Sequence, residues 1–191
     1  MIMAILALDM KARDRLKNNT VVGTIMTNLG FIRFCEANDI RFAATKVGDR
    51  YVLEEMLLED YVFGGEQSGH IIFKDFATTG DGQLSAVQLL AHIHRSGKKL
   101  AELKTVMTKY PQLIVNIRTT DAAKLAFYTD DDVRAILDEG KEKLGSHGRL
   151  VVRPSGTEPL IRIMAEGEDE AFTEAIAKQV AERIEEKLKV Y

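Results

Sequence analysis

The chain has 191 residues, 46% hydrophobic and 29% charged, which suits one or two ordinary globular cores. A formal net charge of -3 and a pI near 5.9 give no global attraction for nucleic acid, so any anion must be held by a local set of donors. The single cysteine, Cys35, excludes an intrachain disulfide and fits a reducing cytoplasm.

Residues 1–8 are apolar, and Asp9 and Lys11 end the run far short of the roughly 20 residues of a membrane span. The run also lacks the basic start and small-residue cleavage site of a signal peptide. It reads as a helix with Ile2, Ile5, Leu6 and Met10 on one side. A domain that opens in mid-helix carries the expectation that more chain precedes it. Residues 20–26 are β-branched and apolar, a buried strand, after which Asn28 can cap a helix bearing Leu29, Ile32 and Phe34. Residues 41–47 read as a second strand, and Gly48-Asp49 opens a helix with Val52, Met56 and Leu57 inward. Residues 61–63 and 71–73 are short strands flanking the glycine-rich GGEQSGH. The segment TTGDG, from Thr78, leads into a long helix through Leu84, Val87, Leu90, Ala91 and Ile93. Strands alternating with helices indicate an α/β layer.

Near residue 109 the pattern changes. Lys109-Tyr110-Pro111 breaks a helix, and residues 112–118 alternate as a half-exposed strand does. Residues 133–144 look helical, and residues 150–153 and 160–165 are strands. In the last segment Phe172, Ile176, Val180, Ile184 and Leu188 recur every four residues, with Glu174, Lys178, Glu182 and Glu185 on other faces. A domain boundary is therefore expected close to residue 109.

Between two apolar strands lies Arg153-Pro154-Ser155-Gly156-Thr157-Glu158-Pro159. A phosphate needs donors converging from several directions. Arg153 offers a planar fork of N–H groups, Ser155 and Thr157 offer hydroxyls, and Gly156 lets backbone amides turn inward as an anion nest. The prolines restrict the loop on either side. The same residue types make a tight hairpin turn, and composition alone does not separate the two readings. The loop is not a P-loop, because no Gly-Lys-Ser/Thr follows a glycine spacer. Arg162 is either a further phosphate contact or half of a cross-strand ion pair, the second being the commoner role.

In the other glycine-rich loop, Glu66 can accept hydrogen bonds from adjacent sugar hydroxyls, Ser68 can donate or accept, and the glycines let a ligand approach the backbone. His70 can shuttle a proton near neutral pH, although a lone histidine is more often a hydrogen-bonded structural residue. A nucleophilic Ser68–His70 pair is disfavoured, because alternate strand residues point to opposite faces.

These two loops, in this order, resemble the sugar-binding and phosphate-binding loops of the α-D-phosphohexomutase superfamily, and within it the bacterial phosphoglucosamine mutases. The stretches NNTVVGTIMTNLGF, TKVGDRYVLEEM and TTGDGQLSA are similar to the same branch. Related mannose and glucose mutases tend to carry a histidine at the place of Asp49 and a different residue at that of Gln67. The resemblance covers essentially the whole chain. It implies an α/β fold: a mixed-sheet α/β/α domain over residues 1–108, the family's third, followed over residues 109–191 by a smaller α+β domain, the fourth, with an antiparallel sheet and flanking helices.

It also implies a parent enzyme that interconverts glucosamine-6-phosphate and glucosamine-1-phosphate on the way to UDP-N-acetylglucosamine for peptidoglycan. There a phosphoserine gives its phosphoryl group to the sugar, through a glucose- or glucosamine-bisphosphate type intermediate, and Mg²⁺ sits on an acidic loop. By the resemblance Gly65, Glu66, Gln67, Ser68, Gly69, His70, Asp49 and Arg50 meet the substrate, with His70 a candidate proton shuttle. Arg153, Ser155, Gly156 and Thr157 hold the phosphate that stays.

Nothing in the chain resembles the phosphoserine loop. Its only acidic triplet, Asp130-Asp131-Asp132, is contiguous, as first-turn helix residues are, and lacks the metal loop's spacing. Phosphoryl transfer needs a positioned nucleophile and metal ions. The expectation is therefore a cytoplasmic, substrate-binding half, inactive alone, with no metal ligand of its own. Its partners would be a glucosamine phosphate and the family's N-terminal domains, with no nucleic acid and no membrane. The alternative is a stand-alone sugar-phosphate binding or regulatory module, which would bind its ligand tightly without help.

Overall fold

Thr20–Thr24 (β1) is buried along its whole length, and the first sheet is built outward from it. The structure, a computed structural model, describes residues 1–191 and divides into two units, Met1–Lys109 and Tyr110–Tyr191. In the first unit β1 pairs in parallel with Arg41–Thr45 (β2) on one side and with Phe63–Gly65 (β3) on the other. Ile71–Phe73 (β4) closes the sheet antiparallel to β3. The crossover from β1 to β2 and that from β2 to β3 step in opposite directions. Right-handed crossovers of that kind place their helices on opposite faces.

Burial follows that rule. Val21 packs with Phe31 and Phe34 of Leu29–Ala37 (α2), on the face that also carries Ile2–Ala12 (α1) and Gly82–Ser96 (α4). Val22 packs with Val52 and Met56 of Asp49–Leu58 (α3) on the other face, and Ile72 joins them while Ile71 and Phe73 face α1. The result is the expected α/β/α sandwich on a mixed sheet.

Several boundaries and faces differ from the sequence reading, each for a local reason. β1 stops at Thr24, where the Thr27 hydroxyl accepts from the Thr24 amide and the Thr24 hydroxyl from the Met26 amide. β2 ends at Thr45 rather than residue 47. β3 lies two residues later than expected and takes in Gly64 and Gly65. At Gly64 a Cβ would come within 2.8 Å of Met56 Sδ and 2.9 Å of Val52 Cγ1, so α3 rests directly on the strand backbone. In α3 the buried stripe is Val52 and Met56, and Leu57, 100° further round, is exposed. α1 is buried around its circumference from Met3 to Met10 with Leu8 partly so, while Ile2 in its first turn is exposed.

α4 turns Ser85, Leu89 and His92 inward and leaves Val87 and Leu90 exposed. The cause is Asp9, a buried carboxylate of α1. His92 Nδ1 lies 2.9 Å and the Arg95 guanidinium 2.7 Å from its two oxygens, and Arg13 approaches to 3.0 Å. An unpaired buried charge costs several kcal/mol, so α4 rotates to bring its histidine and arginine to Asp9 instead of burying its valine.

The second unit has a three-stranded antiparallel sheet with Leu160–Gly167 (β7) at its centre, Gln112–Arg118 (β5) on one side and Gly148–Pro154 (β6) on the other. Asp131–Leu144 (α7) and Glu170–Leu188 (α8) cover one face. Leu113, Val115, Ile117, Leu150, Val152, Ile161, Ile163 and Ala165 point into that core. Strand alternation puts Arg118, Arg149, Arg153 and Arg162 on the opposite face. There Glu166 is fully buried and accepts from Arg149 at 2.5 Å and from Gln112 at 2.7 Å. In α8 the stripe is Ile176, Val180, Ile184 and Leu188, with Thr173 taking the inward place in the first turn and Phe172 exposed. The short helix Leu100–Leu103 (α5) and Asp121–Thr129 (α6), capped by the Thr120 side chain, are elements that the sequence patterns above do not mark.

Burial pushes the Asp9 carboxyl up, but the bonds from His92 and Arg13 and the charges of Arg95 and His92 outweigh it, and the net shift is downward. A carboxyl with a depressed folded-state pKa contributes stability above its unfolded pKa and loses it as pH falls through the folded value. Asp9→Asn is expected to cost ~2 kcal/mol at neutral pH, below the value for a fully buried pair because Arg13 and Arg95 are 42% and 40% exposed. Urea unfolding should show the gap between the two proteins closing as pH drops below the ordinary carboxylate range, about 4.

Candidate functional site

In an open sheet whose strand order reverses, the loops at the carboxyl ends of the parallel strands form a crevice beside the point of reversal. Here that edge carries the loops after β1, β2 and β3. The last of them holds the glycine-rich turn. Gly65 ends β3 opposite Ile71, and a Cβ there would lie 2.3 Å from the His70 carbonyl oxygen. Glu66 and His70 close the turn through an amide-to-carbonyl bond of 2.8 Å, with Gly69 returning its N–H to the Glu66 carbonyl at 3.1 Å. Gly69 has φ 105°, which an L side chain would strain. Gln67, Ser68 and Gly69 form the exposed tip.

The carboxylate of Glu66 reaches across to the next loop, where its Oε1 accepts from the Gly48 amide at 3.1 Å. That amide is one of the unsatisfied donors at the start of α3, so Glu66 acts as an outside cap for a helix whose own N-cap residue is glycine. The loops after β2 and β3 are thereby tied together. Asp49 and Arg50 follow at the rim, both exposed. Arg50 is turned along α3 to Glu54 at 2.7 Å, while Asp49 Oδ2 lies 3.5 Å from His70 Nε2. Ser68 and His70 belong to a turn and not to a strand, so alternation does not describe them; His70 faces Asp49. A fourth segment, missed as a site contributor by sequence reading, closes the set. Asp81 caps α4, its amide reaches the Ile71 carbonyl at 3.3 Å, and Gly80 lies against the His70 ring. The TTGDG run was the available signal.

The second unit presents the RPSGTEP hairpin between β6 and β7. Ser155 is buried, its hydroxyl accepting from the Glu158 amide at 3.2 Å and its own amide bonding the Leu160 carbonyl at 2.8 Å. The hydroxyl oxygen is thus a clip within the loop, and its proton remains a donor. Gly156 and Thr157 are exposed; φ at Gly156 is not positive, and a Cβ there would meet nothing within 4 Å. Arg162 pairs with Glu158 of the same hairpin, rather than with a carboxylate on a neighbouring strand.

Arg153 stands in register with Arg162, so two guanidinium-bearing side chains sit side by side on one face. Like charges directly opposite destabilise a sheet. The Nε atoms of Arg149, Arg153 and Arg162 are all shielded from solvent without a hydrogen-bond partner, but Arg149 and Arg162 are ion-paired through their terminal nitrogens and Arg153 forms no ion pair in the chain.

Burial, then the charge of Glu36, pushes the Cys35 thiol up to about 12, leaving it protonated at neutral pH. Asp130 caps α7 through the amides of Asp132 and Val133, and Asp132 pairs with Lys187, as first-turn residues do. No group of three or more His, Cys, Asp and Glu side chains is placed to hold a metal ion, and no helix is long and apolar enough to cross a membrane.

Comparison with known proteins gives two family models. "Phosphoglucomutase/phosphomannomutase, alpha/beta/alpha domain III" matches residues 1–110, and "Phosphoglucomutase/phosphomannomutase, C-terminal domain" matches residues 114–183. Among curated relatives, the phosphoglucosamine mutase of Caldanaerobacter subterraneus subsp. tengcongensis is 49% identical over 187 residues, 98% of this chain and 42% of the relative. The chain therefore spans well under half the length of that protein. Two solved structures of Aspergillus fumigatus N-acetylphosphoglucosamine mutase align over 97% and 96% of the chain and 43% and 46% of their own, with TM-scores of 0.79 and 0.76. The second is a complex with GlcNAc-6P and magnesium. Both are 18% identical to this chain, a likeness of fold.

The two loops use glycine differently, and stability measurements can tell them apart. Gly65→Ala drives a Cβ into backbone and should lose about 1–3 kcal/mol, whereas Gly156→Ala should stay within about 0.5 kcal/mol of the parent. Equal losses in urea melts would contradict the assignment of open space above Gly156.

Proposed function

The chain belongs to the phosphoglucomutase/phosphomannomutase family, as its domains III and IV, and from that premise we propose that it is the substrate-holding part of a phosphoglucosamine mutase. The reaction is the interconversion of glucosamine-6-phosphate and glucosamine-1-phosphate, through a phosphoserine and a sugar bisphosphate, in the cytoplasm. The observation that carries the reading is Arg153. A half-buried guanidinium beside a second arginine, with no carboxylate of its own, is a poor arrangement for an empty protein and a good one for a dianion. Around it the Ser155 proton, the exposed Thr157 hydroxyl and the open backbone at Gly156 supply the remaining donors for the phosphate that stays.

Glu66 reads the sugar. One of its oxygens is engaged by Gly48, which fixes the carboxylate and leaves the second oxygen to accept from a ring hydroxyl. Ser68 and the backbone of Gly65 and Gly69 flank it, with Gln67 at the tip of the turn and Asp49 and Arg50 at the rim. His70, at the end of the loop, is the candidate proton shuttle.

The transferring serine and the Mg²⁺ loop belong to the part of the relatives that lies outside this chain. Asp130, Asp131 and Asp132 do not fit an Mg²⁺ site, because Asp130 caps α7 and Asp131 and Asp132 are paired with Arg134 and Lys187. When bound in the parent, Mg²⁺ would neutralise charge on the moving phosphoryl group.

Titrating the 191-residue chain with glucosamine-6-phosphate should shift backbone amides from Arg153 to Thr157 and from Glu66 to His70. Arg153→Ala should weaken binding at least about tenfold, the cost of one charge-assisted bond of about 1.5–3 kcal/mol. Affinity is expected to be weak, and micromolar binding would favour a stand-alone binding module. Mutase turnover by the pure chain would show that the chemistry does not lie elsewhere.

A further inference from the structure

The TTGDG stretch is given no role in the proposed function, yet its Gly80 touches the one titratable ring of the glycine-rich loop. A Cβ on Gly80 would lie 2.0 Å from His70 Cδ2, 2.4 Å from Nε2 and 2.8 Å from Cγ. The ring therefore rests on the Gly80 backbone along its Cγ–Cδ2–Nε2 side. Nε2 is also the atom that faces Asp49, at 3.5 Å from Oδ2. It is shielded from solvent and has no well-formed hydrogen bond, although the side chain as a whole is 41% exposed. The open edge is the opposite one, carrying Nδ1 and Cε1.

The other charged groups near this edge are already engaged. Glu66 is held by the Gly48 amide, Asp81 by the Leu84 amide and Arg50 by Glu54, which leaves Asp49 as the carboxylate that faces the ring. In neutral imidazole one nitrogen carries the proton and the other the lone pair, and a carboxylate beside Nε2 keeps the proton there.

We infer that Asp49 and Gly80 are positioning residues, which hold His70 with Nε2–H toward the carboxylate and so present the Nδ1 lone pair to a hydroxyl of the bound sugar. The inference rests on reading GGEQSGH as the sugar loop. It assigns Asp49 to the histidine instead of the ligand, and it gives Gly80 a task that no larger residue can perform, since any Cβ would displace the ring.

The test is nitrogen-15 NMR of the 191-residue chain labelled at histidine, with the His70 signals assigned through His70→Gln. The expected result is a ring N–H proton on Nε2, exchanging slowly enough with water to be seen. Asp49→Asn and Gly80→Ala should lose it, and Asp49→Glu should retain it. Backbone amide spectra check that each variant is folded, and Asp49→Asn, a rim substitution, carries the test if Gly80→Ala is not. Glucosamine-6-phosphate should move the Nδ1 resonance far more than Nε2. A proton found on Nδ1, or an Nε2–H signal that survives Asp49→Asn, overturns the inference. If the signature is absent while the ligand still shifts the Arg153–Thr157 amides, the positioning role alone has failed. If the signature is present but the ligand moves neither ring nitrogen nor those amides, the sugar-phosphate reading fails, and with it the presentation of Nδ1 to sugar.

Discussion

The first unit depends on one topological constraint, the reversal of strand order about β1. With β2 on one side and β3 on the other, the two crossover helices occupy opposite faces, and the loops leaving all three parallel strands reach the same edge. Side chains distant in sequence meet there without any long excursion of the chain. The Glu66 carboxylate then bonds the Gly48 amide and couples two of those loops. That single bond satisfies one amide at a helix start and fixes the orientation of an otherwise loop-borne carboxylate, so Glu66 is held by the scaffold. A side chain fixed on rigid elements in this way has little conformational freedom left to lose.

Charge is distributed in two ways across the chain. Asp9 and Glu166 are buried carboxylates, and each is surrounded by donors: His92, Arg95 and Arg13 for the first, Arg149 and Gln112 for the second. These pairs are internal and decide how elements rotate and register. Arg153 is the opposite case. It occupies the same face of the second sheet as Arg149 and Arg162, but its neighbour is another arginine. The fold compensates its buried acids fully and leaves this cation without a carboxylate, beside a loop of hydroxyls and amides.

How much of this was legible in the sequence depends on which force set each feature. Period-four burial in α8 and period-two burial in β5 are dictated by the solvent alone, and the residue pattern shows them directly. The face of α4 was not legible. Hydrophobicity would turn Val87 and Leu90 inward, but the partner requirement of Asp9, more than eighty positions earlier, turns His92 inward and brings the half-exposed Arg95 to the same carboxylate instead. The glycines of GGEQSGH were likewise read as loop, whereas Gly64 and Gly65 are strand residues whose missing side chains admit α3 and the returning strand. α6 buries Ala123, Ala126 and Phe127, a stripe too rich in alanine to stand out by hydropathy. At the site, the donor-rich loops could be picked out by residue type, but the Glu66–Gly48 bond, the Arg153–Arg162 register and the seat of His70 are products of tertiary packing.

Glycine shows where such reading stops. Gly65, Gly80 and Gly156 are the same letter in three similar runs, yet they are small for different reasons. At Gly65 the space is filled by the carbonyl of His70, and at Gly80 by the ring of the same residue, so these two positions are constrained by the protein itself. At Gly156 nothing of the chain lies within 4 Å of where a side chain would be, and the backbone does not require positive φ. The fold makes no demand there, so nothing packed within the chain sets the size of the residue at 156.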